Sequence, residues 1–222
     1  MSRIIKLIVI SSILGAQLMG VSMAQASDPM IGDPIAGEAK SKLVCSACHG
    51  PDGTGSPGPV FPKLAGQHAE YIIKQITELR ASSKDPKTAL RIDPLMSMQA
   101  GLLSDQDILD VAAFFSSNPV KEGIMSEDKA LVKRGEDLYR GGDLARSIPA
   151  CTACHSPSGL GNGPAKYPVI AGQQAAYTSK QMLNFRNNIR KNDINRVMRD
   201  IAERLSDADI KALAAYMQGI KP

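Results

Sequence analysis

The chain has 222 residues, a formal charge of +4 and four cysteines. That length admits one or two domains and excludes a large multidomain enzyme, and 43% hydrophobic residues exclude a disordered tail. Only 4% of residues are aromatic and none is Trp, so either the domains are small and helical or something other than side chains fills their interiors.

Residues 1–26 carry a short basic start at Arg3 and Lys6, a mostly apolar stretch from Ile4 to Val21, and Ala24-Gln25-Ala26, which fits the small-x-small cleavage rule. This predicts a cleaved secretory signal peptide and a protein exported to the periplasm; an uncleaved anchor is the alternative. Removing these residues leaves 196 and takes away Arg3 and Lys6, so the charge falls from +4 to +2.

Asp33 before Pro34 is an N-cap and N1 pair that opens a helix toward Cys45. Gly50 to Pro62 is rich in Gly and Pro and predicts a loop. Ile72, Ile76 and Leu79 then mark one face of a helix. Ser104-x-x-Asp107 has the form of a capping box, with Asp for Glu, and opens a final helix through Ile108, Val111, Ala112 and Phe115. Asn118-Pro119 ends this first unit, 27–118, and 119–125 is the expected linker to a second unit, 126–222.

The second unit repeats the first. Ser126-Glu127-Asp128 opens a helix through Leu131, Gly135 and Leu138, and Gly159 to Pro168 predicts a loop. Phe61-Pro62-Lys63-Leu64-Ala65-Gly66-Gln67 recurs as Tyr167-Pro168-Val169-Ile170-Ala171-Gly172-Gln173. Tyr71, Lys74-Gln75 and Arg80 recur as Tyr177, Lys180-Gln181 and Arg186, on a helix expected over about 175–187. Leu103-Ser104-Asp105 then matches Leu205-Ser206-Asp207 at a spacing shorter by four, which points to an insertion in the first copy. Ser206-x-x-Asp209 opens the last helix through Ile210, Leu213, Ala214 and Met217. No alternating strand pattern of useful length occurs.

All four cysteines lie in two C-x-x-C-H motifs, Cys45 to His49 and Cys151 to His155. This is the attachment motif of a c-type haem: two thiols three positions apart on a helical turn reach the two vinyl groups on one porphyrin edge, and the adjacent His reaches the iron. One chance match is expected in about one of a thousand chains of this composition, and two that use every cysteine are far rarer. A thioredoxin-like disulfide site would want a βαβ pattern, which is absent, and a four-Cys zinc site would join pairs 106 positions apart.

What occupies the far side of each iron decides between catalysis and electron transfer. Met96 and Met198 each lie eight residues before the capping serine, in M-x-x-x-A-x-x-L-S, where a loop can fold over the haem. Met98 is the rival in the first copy, but position 200 is Asp, so it has no counterpart. His68 faces Gln174 in the repeat and reads as a surface residue at a helix start.

The tandem C-x-x-C-H units, F-P-K-L-A-G-Q, L-S-D-Q-D and the repeated K-Q resemble the cytochrome c4 family over nearly the whole mature chain. The resemblance implies an all-α fold of two tandem class I cytochrome c domains, each wrapping one covalently attached haem c. Cys45, Cys48, Cys151 and Cys154 would be the thioether attachments, His49 and His155 the proximal ligands, and Met96 and Met198 the distal ones. The carbonyls of Pro62 and Pro168 would accept the Nδ1–H of those histidines, and Leu64 and Ile170 would pack on the haem edge. The family also brings the two haems close across the interface, propionates facing. It implies a monomeric periplasmic electron carrier between a quinol-oxidising complex and a haem-copper terminal oxidase, with peripheral membrane association left open.

Residues 27–118 hold 8 basic and 11 acidic side chains, and residues 119–222 hold 16 and 11. Such a dipole can orient encounters with redox partners, and Arg186, Arg190, Lys191, Arg196 and Arg199 form the candidate basic cluster. Nucleic acid is not an expected partner of an exported protein. The competing functions are a haem subunit of a periplasmic dehydrogenase and a di-haem enzyme, such as a peroxidase with one open iron. The second needs an unusual ligand, and Cys is excluded because all four are used for attachment.

Overall fold

The computed structural model describes residues 32–55 and 60–222. The signal segment 1–26 lies outside them. The first group of helices is α1 (Pro34–Val44), α2 (Ser46–His49), α3 (Ala69–Lys84), α4 (Pro94–Gly101) and α5 (Asp105–Ser117). The second is α6 (Lys129–Gly141), α7 (Thr152–His155), α8 (Ala175–Arg186), α9 (Val197–Ala202) and α10 (Asp207–Gly219). Among the described residues the only extended pairing is two isolated bridges, Asp143 with Ile148 and Asn162 with Tyr167.

Local chemistry explains where the helices begin. Asp33 accepts from the Ile35 N–H with Pro34 at the first helical position, and Asp128 accepts from the Leu131 N–H. Both capping boxes are complete: Ser104 with Asp107 opens α5, and Ser206 with Asp209 opens α10. The four-residue shift in the repeat is one helical turn. α3 has 16 residues and α8 has 12, so the insertion lengthens α3 at its end rather than adding a loop.

In each half the first and last helices cross at a glycine. A Cβ on Gly37 would stand 2.0 Å from the Asp110 carbonyl oxygen in α5, and one on Gly135 would stand 2.1 Å from the Ala212 carbonyl oxygen in α10. Glycine weakens a helix by about 1 kcal/mol relative to Ala, so these two helices accept that cost for backbone contact. Ile72, Val111, Ala112, Phe114 and Phe115 form the core of the first half. Leu138, Tyr139, Ile148, Met182, Leu213, Tyr216 and Met217 are the larger part of the second.

Met96 and Met198 do not stand in loops. Asp93 caps α4 by accepting from the Met96 N–H with Pro94 behind it, which puts Met96 in the first turn of a helix. Asn195 and Arg196, both at positive φ, turn the chain into α9, where Met198 also lies in the first turn.

Candidate haem-attachment and ligand sites

The two C-x-x-C-H segments are short helical turns at the ends of longer elements. Cys45 closes α1, its N–H donating to the Ser41 carbonyl, and α2 carries Cys48 and His49. In the second half Cys151 leads directly into α7, which carries Cys154 and His155. The His49 N–H donates to the Cys45 carbonyl at 3.0 Å and the His155 N–H to the Cys151 carbonyl at 2.9 Å. One turn of helix therefore holds each pair of thiols and its histidine together. None of the four cysteines is in a disulfide. Burial pushes the Cys45 and Cys151 thiols up to about 11, so before haem attachment both would be neutral at physiological pH.

The loop after each motif fixes the histidine. His49 Nδ1 lies 2.8 Å from the Pro62 carbonyl oxygen, and His155 Nδ1 lies 3.1 Å from that of Pro168. A carbonyl only accepts, so Nδ1 carries the proton in each ring and Nε2 keeps its lone pair. Burial moves both histidines below their ordinary value, against the opposing pull of the proline carbonyls, which favours the neutral ring that binds metals. His49 is 4% exposed, and its Nε2 has no hydrogen-bond partner. An orphaned buried imidazole nitrogen is costly unless a ligand takes its lone pair.

The surroundings repeat as well. The N–H groups of Leu64 and Ala65 both donate to the Gly53 carbonyl, and those of Ile170 and Ala171 both donate to the Gly159 carbonyl. Phe61 meets His49 edge-on at 6.4 Å between centroids, and Tyr167 meets His155 at 6.2 Å. Leu64 packs with Cys45 on one core, and Ile170 with Cys151 on the other. Met96 is half-buried, whereas Met98 is 58% exposed. Met198 is half-buried like Met96.

Between the halves lies the interface that the resemblance implies, and its glutamine contacts are ones the sequence reading did not foresee. Gln67 brackets the backbone of Val169, its amide donating to the carbonyl and its oxygen accepting from the N–H, both at 2.9 Å. Gln173 brackets Lys63 in the same way, both at 3.0 Å. Lys63 and Val169 are equivalent in the repeat, so the two brackets are related by a pseudo-two-fold. The signal was present in the repeated A-G-Q, but a glutamine carries no motif of its own.

His68 stands at the start of α3, as expected; it is half-buried, and its Nε2 lies 2.7 Å from the Leu160 carbonyl of the other half. One expectation about charged residues changes here. Arg190 is not part of a docking face. It is 6% exposed, lies over the Phe185 ring, and donates to Tyr71, Gln75 and Gln181. Arg199 is nearly buried against Asp193, and Arg196 pairs with Asp200 and Glu203. The basic cluster read from the sequence is largely neutralised or internal.

The family model "Cytochrome c" matches residues 35–119 and 132–221. Cytochrome c4 of Azotobacter vinelandii is 48% identical over 192 residues, covering 85% of this chain and 90% of that protein. The crystal structure of reduced recombinant cytochrome c4 from Pseudomonas stutzeri superposes with a TM-score of 0.81 at 46% identity, covering 86% of this chain and all of that one. At greater distance, a thiosulfate dehydrogenase electron acceptor of Stutzerimonas stutzeri is 34% identical over 206 residues, 92% of each chain.

Proposed function

The chain belongs to the cytochrome c4 family, and from that premise we propose that it carries electrons in the periplasm between a quinol-oxidising complex and a haem-copper terminal oxidase. It is an all-α protein of two class I cytochrome c domains and a di-haem electron-transfer cytochrome, with one haem c on Cys45 and Cys48 and the other on Cys151 and Cys154. The domain limits, 27–118 and 126–222 joined by 119–125, belong to the proposal, as do the cleaved leader 1–26 and a monomeric state.

The residues fit the group. The observation that carries the reading is the buried, unpartnered His49 Nε2 beside a cysteine pair, its ring oriented by the Pro62 carbonyl. His49 and His155 would be the proximal ligands and Met96 and Met198 the distal ones, with Leu64 and Ile170 against the haem edge. When bound, the haem iron takes up and releases one electron. The protein's part would be to keep each imidazole neutral and aimed through the Pro62 and Pro168 carbonyls and to offer Met96 and Met198 as second ligands, which would favour electron transfer over substrate binding. The buried guanidinium groups of Arg91 and Arg190 at the interface supply positive charge of the kind that pairs carboxylates such as haem propionates. We therefore read the chain as a carrier and not an enzyme. Among the described residues no helix is long and apolar enough to cross a membrane.

A second reading changes only the donor. The 34% identity to a thiosulfate dehydrogenase electron acceptor over 92% of both chains favours an oxidising enzyme of that kind as an alternative source of electrons. Optical and low-temperature EPR spectra of the ferric protein, with a haem count, test the carrier reading. Two low-spin haems with the sulfur-to-iron charge-transfer band support it; a high-spin iron lacking methionine defeats it. Reduction rates with a quinol-oxidising complex and with a thiosulfate-oxidising enzyme separate the donors.

A further inference from the structure

The peptide group joining Pro62 to Lys63 is engaged at both ends. Its carbonyl accepts from His49 Nδ1 at 2.8 Å, and its N–H donates to Gln173 Oε1 at 3.0 Å. The peptide group joining Pro168 to Val169 is engaged likewise, by His155 Nδ1 at 3.1 Å and by Gln67 Oε1 at 2.9 Å. Each glutamine belongs to the half opposite the histidine at the end of its chain of contacts. The amide orientation follows from the partners, because an N–H only donates and a carbonyl only accepts.

Hydrogen bonds in line through one conjugated peptide polarise each other, by about 10–30% per bond. Accepting at the N–H end puts more negative charge on the carbonyl oxygen, which makes it a stronger acceptor for the imidazole Nδ1–H. That bond sets the basicity of a ligating histidine. Gln67 is 7% exposed and Gln173 is 9%, so both contacts are largely shielded from solvent.

We propose that Gln67 and Gln173 are crossed positioning residues: each sets, through a single peptide group, the donor strength of the proximal histidine in the other domain. Domain docking then fixes the reduction potential of both irons. This rests on the haem-carrier reading above. A more basic histidine favours the ferric iron, so removing a glutamine raises the potential of the haem in the opposite domain.

The test uses the full two-haem protein with Gln173→Leu, Gln67→Leu and Gln173→Glu. Potentiometric titration resolved by haem is combined with nitrogen-15 NMR of the proximal histidine Nδ1–H in the ferrous state. Gln173→Leu should raise the potential of the His49 haem and shift the His49 Nδ1–H resonance, with His155 unmoved. Gln67→Leu should do the mirror image. Gln173→Glu keeps an acceptor for the Lys63 N–H while losing the donor to the Lys63 carbonyl, and should leave the His49 resonance nearer the parent than Leu does. Equal shifts of both haems in each single variant would mean mere loosening of the interface and would overturn the proposal. So would no shift, or a shift confined to the variant's own domain. If the unsubstituted protein lacks two low-spin, methionine-ligated haems, the carrier reading fails, and the inference with it; failure of the inference alone leaves those spectra intact.

Discussion

Arg190, from the second half of the chain, donates through Nη2 to the hydroxyl of Tyr71 in the first half at 2.9 Å. Arg91 of the first half reaches the Tyr177 hydroxyl at 3.4 Å, and each arginine also bonds the glutamine of its own half, Gln75 or Gln181. Asn192 adds a further donor to Gln75 Oε1. The interface is thus held by a buried polar network, not by apolar packing alone. Such a network loses its value when one member is removed, because the others stay buried and unpaired.

Arg190→Ala should therefore destabilise the haem-loaded protein by about 3 kcal/mol. Arg196→Ala, which removes an exposed pair with Asp200 and Glu203, should cost about 0.5 kcal/mol. Urea denaturation of both variants measures the difference. Equal, small losses would mean that Arg190 carries no more weight than a surface charge.

Gly37→Ala should also destabilise, against the usual gain from replacing glycine in a helix. The new methyl would meet the Asp110 carbonyl at 2.0 Å, and backbone cannot swing aside as a side chain can. Overpacking of this kind costs about 1–3 kcal/mol. Gly135→Ala should behave alike at Ala212, whereas Gly141→Ala, with open space around it, should be neutral or stabilising. Thermal melts of the three variants give the ranking.

Asp209 is fully buried, and burial alone would raise its pKa. Hydrogen bonds from Arg146, Ser206 and Arg134 overcome that and hold the carboxyl well below the usual carboxylate range. A depressed folded-state pKa adds stability above the unfolded-state value, and that stability is lost as pH falls. Asp209→Asn should cost about 2 kcal/mol at neutral pH, less than a fully buried pair because Arg134 and Arg146 are partly exposed. The gap to the parent protein should stay constant down to about pH 5 and shrink below about pH 4. Denaturant midpoints across that range are the check.

Met96→Ala and Met198→Ala should each remove about half of the sulfur-to-iron charge-transfer absorbance, with both haems still covalently attached. Met98→Ala should leave the band at full strength, since Met98 is exposed and has no counterpart in the second half. Loss of the band in Met98→Ala alone would transfer the ligand assignment to that residue.

Much of this protein was legible in one dimension because its determinants are local. C-x-x-C-H needs one helical turn, and a capping box needs one serine and one aspartate three residues apart. Asp33-Pro34 sets a helix start through its own side chain and ring. The duplication supplied a second copy against which each feature could be compared, which singled out Met96 over Met98 and exposed the four-residue insertion. That these four residues extend α3 by a turn, and that Met96 and Met198 stand in helices, needed the caps and backbone angles around them. The contacts between the halves could not be read at all. Gln67 and Val169 are 102 residues apart, and Arg190 and Tyr71 are 119 apart. A glutamine or arginine in sequence reads as a solvated side chain, and only docking of the two domains removes the water and turns the same groups into buried, paired ones. The sequence by itself determined the cofactor chemistry, the repeat and the starts of α1, α5, α6 and α10. The tertiary structure decided which polar residues join the two halves, because that depends on distance in space and on the exclusion of water.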